Sequence, residues 1–169
     1  MIEADDLLDH AESLLTSGRK GAPAQIDLKR AVSAAYYAVF HKLLTDTADL
    51  VVGRSKRSKP AYALVYRSFD HARMRKKSNE LLDSRSNLAK RLPSYGISSV
   101  SDEIRKGATA FVDLQSARHR ADYDPNFKLK LETAKAHIDS ARVAIRSFSK
   151  AGKAEYEFFL FALLFEPRD

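Results

Sequence analysis

The stretch RAVSAAYYAVFHKLL, residues 30–44, decides how the chain is read. It is apolar enough for the interior of a helical protein, yet Arg30, Ser33, Tyr37 and His41 recur at intervals of three and four residues. That spacing lines up four polar groups along one stripe of a helix, while Val32, Ala35, Tyr36, Val39, Phe40 and Leu43 fill the remaining faces. A core helix with a polar stripe needs partners for it.

The helical period recurs on both sides of this stretch. Residues 2–17 place Ile2, Ala4, Leu7, Leu8, Ala11, Leu14 and Leu15 on one face, and SGRKGAP (17–23) breaks the pattern with two glycines and a proline. The quoted stretch then belongs to a second helix over 24–50. A third opens near Pro60, a residue suited to the first turn, and carries Tyr62, Val65, Tyr66 and Phe69 toward Leu81. RLPSYGISSVSDE (91–103) reads as a loop in which Ser101 can cap a fourth helix over 101–123. DPN (124–126) ends that helix, a fifth follows over 127–149, and an apolar segment closes the chain at 153–165. No segment alternates with period two and none repeats. The expectation is an all-α protein, an up-and-down helical bundle of about five or six helices. Residues 1–150 would form the bundle and 151–169 an apolar helical extension of the same domain.

Composition narrows the function classes. A chain of 169 residues that is 44% hydrophobic can bury one good core. It has no cysteine, which removes disulfides and thiolate zinc sites, and its opening residues MIEADDLLDH are too acidic for a secretory signal; a cytoplasmic protein is expected. The longest apolar run, FFLFALLF at 158–165, falls well short of the roughly 18 residues a membrane span needs. No cofactor and no metal is implied.

The net charge of +7 is unevenly spread. Residues 54–91 hold twelve Lys or Arg against three Asp or Glu, so this stretch alone carries +9. Within it, RSKRSKP supplies Arg54, Lys56, Arg57 and Lys59, and RMRKKS supplies Arg73, Arg75, Lys76 and Lys77. Clusters of this kind attract phosphate backbones through counterion release, or simply keep a surface solvated.

A second polar constellation is RHRADYDP, residues 118–125. Arg118 and Asp122 are i, i+4 neighbours on a helix, and His119 and Tyr123 form a second such pair beside them. On spacing alone, Arg118 and Asp122 are as readily a structural ion pair as a site.

Taken together and in this order, RAVSAAYYAVFHKLL and ARHRADYDP resemble the HEPN superfamily, in particular its small stand-alone prokaryotic members, over residues 4–149. The resemblance implies a helical bundle that forms a homodimer with its motif helices facing each other. It also implies an RNA or nucleotide ligand and, in many relatives, metal-independent endoribonuclease activity serving a toxin–antitoxin pair or defence. The ribonuclease motif of that family is an arginine, four to six residues and a histidine. Here Arg118 is followed after four residues by Tyr123, and none of the five histidines stands at the required distance after an arginine. A phenol with pKa near 10 is a poorer proton shuttle at neutral pH than an imidazole near 6.5, whereas the arginine role needs only a fixed cation to stabilise charge on phosphorus.

By this resemblance the catalytic candidates are Arg118 holding the phosphate, His119 or His41 moving the proton as the 2′-hydroxyl attacks, and Tyr123 orienting a phosphate oxygen. Tyr37 and His41 would complete a polar pocket around Arg118 and Asp122. The alternative is a non-catalytic nucleotide- or RNA-binding module, the partner of a small nucleotidyltransferase antitoxin that modifies Tyr123. A plain helical scaffold, whose polar residues satisfy one another inside the core, also remains open. The tail EYEFFLFALLF (155–165) is expected to be buried, within the chain or across a dimer, with an exposed recruiting patch as the other outcome.

Overall fold

The computed structural model describes residues 3–16, 21 and 23–165. Helix accounts for 78% of the described residues and no strand is present among them, so the protein is all-α. The described residues group into two compact units, one within Met1–Lys42 and Ala110–Arg146, the other within Leu43–Thr109 and Ser147–Asp169.

The first unit holds α1 (Ala4–Thr16), the leading part of α2 (Gln25–Val51), the trailing part of α6 (Asp102–Tyr123) and most of α7 (Leu131–Lys150). Helix α1 buries Leu8, Ala11 and Leu15, the stripe its period marks out, and Glu12 pairs with Arg142 of α7 at 2.7 Å. Ile2 and most of the expected break at 17–23 lie outside the described residues. Along α2, Ala31, Val32, Ala35, Tyr36, Ala38 and Val39 are wholly inaccessible. The small methyl side chains of the alanines let neighbouring helices approach closely, and Tyr36 fills the space with its ring 5.8 Å from Phe40 and 5.6 Å from Phe111. Ile138, Ala141 and Ala144 of α7 complete this core.

The second unit takes α2 from Leu43 onward, then α3 (Pro60–Tyr66), α4 (His71–Leu82), α5 (Asn87–Lys90), the first turns of α6, the end of α7 and α8 (Lys153–Leu164). Gly53, at φ 104°, takes a positive-φ conformation open to glycine as the chain leaves α2 and enters a 3-10 turn at Arg54–Lys56. Pro60 opens α3 as its chemistry suggests. Ser101 caps α6, its Oγ accepting from Ile104 N at 3.3 Å, while its own N–H donates to the buried Glu155 at 2.6 Å. Phe148 stacks on the rings of Tyr156 and Phe159 and lies against the bare Cα of Gly107. Helix α8 buries Phe158, Phe159, Leu160, Ala162 and Leu163 and leaves Phe161 and Phe165 exposed, so the apolar tail is mostly core.

Eight helices are counted among the described residues, against the five or six expected. The expected third helix is two. Asp70 takes an extended conformation and its side chain accepts from Arg73 N at 2.8 Å, so a new helix starts where continuous periodicity suggested one long element. Ser86 caps the additional short α5. Within the expected loop 91–103, Leu92–Tyr95 forms a 3-10 turn that Gly96 terminates at φ 73°. Helix α7 begins at Leu131 rather than at 127, because the side-chain amide of Gln25 holds Leu129 by both its backbone N–H (2.9 Å) and its carbonyl (2.8 Å) in a non-helical conformation.

Candidate functional site

Two residues of the stripe on α2, Ser33 and Tyr37, bond to the last two turns of α6, within the first unit. Ser33 donates to Asp122 Oδ1 at 2.6 Å, and the Tyr37 hydroxyl accepts from Arg118 Nη2 at 2.7 Å. Asp122 Oδ2 lies 2.7 Å from Arg118 Nε. This last approach is an ion pair rather than an aligned hydrogen bond, since the Nε–H does not point at the oxygen. One chain of polar contacts therefore runs Ser33, Asp122, Arg118, Tyr37. It forms because residues four apart share a face on each helix: 33 with 37 on α2, 118 with 122 on α6.

Aromatic rings surround the guanidinium. Its central carbon is 5.4 Å from the ring centre of Tyr37, 5.6 Å from that of Tyr123 and 6.0 Å from that of Tyr36, all within cation–π range. Only 17% of the Arg118 side chain is open to solvent, against 31% for Asp122. Burial works against the arginine charge, but Tyr37, Asp122 and Tyr123 outweigh it and hold its pKa above the ordinary value. Arg118 is a permanent cation. With Nη2 on Tyr37 and Nε beside Asp122, the Nη1 donors remain for a further acceptor.

The end of α6 is anchored by contacts that neighbouring residues make. Lys29 Nζ donates to the Asp124 carbonyl at 3.0 Å, placing a cation at the negative end of the helix, and Asp124 Oδ1 accepts from Asn126 N. Arg120 covers the Phe127 ring at 4.1 Å. Together with the Gln25 clamp on Leu129, these fix the turn that follows the cluster.

His119 is exposed, its ring 5.0 Å from that of Tyr123, which is itself 65% exposed. The two form the i, i+4 pair their spacing suggests, on the solvent side of Arg118. His41 is half-buried one turn beyond Tyr37, with ring contacts to Tyr37 (6.1 Å) and Phe40 (5.6 Å). The bonds that build the cluster come from Ser33 and Tyr37. Sequence reasoning gives Ser33 a place in the polar stripe but no role; its position four residues before Tyr37 is the available signal.

The eight basic candidates all belong to the second unit and divide into two groups. Arg54, Lys56, Lys59, Arg75 and Lys76 are exposed, Lys76 with Glu80 at 3.7 Å. Arg57 instead binds Asp49 through both Nε (2.9 Å) and Nη2 (2.5 Å), a bidentate clamp that Tyr62 joins from α3 with its hydroxyl 2.9 Å from Asp49. Asp49 is held below the usual carboxylate range first by its bond from Arg57, against the effect of burial, with Tyr62 adding to it. Lys77 is 5% exposed and pairs with Glu80 at 2.9 Å. Arg73 is half-buried and donates from Nη2 to the Ser68 carbonyl at 2.6 Å. Arg57, Arg73 and Lys77 thus commit their charge to the fold.

Among the described residues, no group of three His, Asp or Glu side chains is placed to hold a metal ion, and no helix is long and apolar enough to cross a membrane. No protein-family model, curated protein or solved structure matches the chain.

Proposed function

We propose that the chain is an RNA-binding protein of the HEPN type that cleaves RNA without a metal, in the service of a toxin–antitoxin pair or of defence. The observation that carries this reading is the direct bonding of the two motif stretches: Arg118 of RHRADYDP rests on Tyr37 of AYYAVFH, and Asp122 is held by Ser33 of the same helix. An up-and-down bundle that pairs with a second copy through α6 would bring two Arg118 residues to one phosphate.

The chemistry assigned to the cluster is transesterification. The RNA 2′-oxygen forms a bond to the adjacent phosphorus as the bond to the 5′-oxygen breaks, leaving a 2′,3′-cyclic phosphate and a 5′-hydroxyl. Arg118 stabilises the charge that gathers on the phosphoryl oxygens, with Nη1 as the donor. Tyr37 and Asp122 keep the guanidinium from rotating away, and His119, exposed beside it, is the group that relays the proton. Arg54, Lys56, Lys59, Arg75 and Lys76 add sequence-independent attraction for the backbone.

A second reading draws on the exposure of Tyr123: a tyrosine this open is available to a nucleotidyltransferase partner as an acceptor. Intact-mass measurement of the chain expressed with its genomic neighbour separates the two, since a nucleotide adduct on Tyr123 marks the second. For the first, expression of the wild-type chain should arrest growth and fragment cellular RNA, and Arg118→Ala should do neither. Growth arrest that persists in Arg118→Ala would remove the site from the reading.

A further inference from the structure

Tyr123 carries something that the transfer chemistry assigned to Arg118 and His119 does not use. Tyr123 is the last residue of α6, and Asp124-Pro125 turns the chain away immediately after it, so no following helical turn covers its ring. Two neighbours hold the ring in place all the same: the Arg118 guanidinium at 5.6 Å and the His119 ring at 5.0 Å, tilted by 48°. With both in contact, 65% of the residue is still open. An exposed tyrosine alone would call for no explanation. An exposed ring fixed on one side by a permanent cation is a different object, because it offers a flat π-face and an anion donor at adjacent positions.

We propose that the Tyr123 ring, braced by His119, forms a stacking platform for one base of a single-stranded RNA, whose neighbouring phosphate lies on Arg118. The inference rests on the RNA-binding reading above and deepens it by assigning the ring of Tyr123 to base capture, with His119 beside it as support in addition to its proton relay. Bases stack on aromatic side chains and on guanidinium planes wherever the strand is unpaired, and every base has a face to offer. A ring already held by two contacts loses little freedom when a base covers it. The charge complementarity is local: the cation beneath the ring is the same one the phosphate needs. A paired duplex keeps its bases stacked on each other and cannot use the platform.

The test is equilibrium binding of the full chain to two labelled probes of equal length, 2′-O-methyl oligouridine and its abasic counterpart; the blocked 2′-oxygen prevents cleavage. Tyr123→Ala should weaken the uridine probe by about tenfold or more and leave the abasic probe unchanged, while Tyr123→Phe, which keeps the ring, should bind like the wild type. His119→Ala should show the same selective loss in smaller degree. Equal losses on both probes, no loss on either, or a Tyr123→Phe as weak as Tyr123→Ala would overturn the platform while leaving RNA binding intact. A wild-type chain that binds neither probe would overturn the RNA-binding reading and the platform with it.

Discussion

Removing either partner of the Arg118–Asp122 pair should cost less than breaking a buried salt bridge and more than breaking a surface one. Exposed i, i+4 pairs contribute about 0.3–0.5 kcal/mol, whereas breaking a buried pair costs about 3–5 kcal/mol. Here the side chains are 17% and 31% exposed, and each also holds a neutral partner, Tyr37 for the arginine and Ser33 for the aspartate. Arg118→Ala removes the bond that Tyr37 accepts, and Asp122→Ala removes the bond that Ser33 donates together with the carboxylate beside the guanidinium. About 2 kcal/mol for each single change follows, or a fall in Tm of about 4–8 °C for a chain of this size. Because the two residues touch, the double variant should lose only about 3 kcal/mol rather than 4, a coupling near 1 kcal/mol. Urea unfolding of the four proteins measures it directly. Losses that add to within about 0.3 kcal/mol would show that the 2.7 Å approach contributes nothing to stability and that Arg118 is held by Tyr37 and the rings alone.

Gly107→Ala should destabilise the protein despite the roughly 1 kcal/mol that alanine gains in a helix, because its Cβ would overlap the Phe148 ring, which is itself stacked on Tyr156 and Phe159; a raised Tm would refute the close approach. Burial and the neighbouring Asp49 push the Tyr62 hydroxyl up to about 12 from 10.0, so its contribution to stability is complete below pH 10 and is lost as pH rises toward 12. Tyr62→Phe should therefore reduce the alkaline loss in urea unfolding across that window, and an identical pH profile would count against the burial of the hydroxyl. Replacing Arg54, Lys56, Lys59 and Arg75 together by Ala should flatten the salt dependence of RNA binding, by about 0.7 in log–log slope for each phosphate of a single strand that the variant no longer neutralises. Lys77→Met should shift the melt and leave that slope alone, because the ammonium it removes is buried on Glu80.

The polar cluster was legible because its logic is local on each helix. Arg30, Ser33, Tyr37 and His41 make a stripe at helical spacing, Arg118 and Asp122 sit one turn apart, and α6 runs over Asp102–Tyr123 almost as its cap and its proline suggest. That the two stripes meet through Ser33 and Tyr37 follows only from packing. The features that escaped are set by competition or by distance. At Asp70 a side-chain cap outweighs a continuing apolar period, a choice between two acceptable local structures that spacing cannot decide. The late start of α7 depends on Gln25, 104 residues away in sequence from the backbone it binds. The charge run at 73–77 reads as one solvated face, yet a helix rotates successive residues by about 100°, so Lys77 falls on the inner side with Met74 and Leu81 while Arg75 and Lys76 stay outside. Composition records the charge and is silent on which side of the helix carries it.

The most direct measurement is incubation of the purified chain with a mixed RNA pool in excess EDTA, beside Arg118→Ala and Arg118→Lys. Cleavage by the wild type, with 2′,3′-cyclic phosphate and 5′-hydroxyl ends, is the expected result. Both variants should be inactive while still folded, since an ammonium cannot reproduce the planar fork that reaches Tyr37, Asp122 and a phosphate at once. An RNA pool left intact by the wild type, or cleaved equally by Arg118→Ala, would contradict the assignment of Arg118 as the phosphate-binding cation.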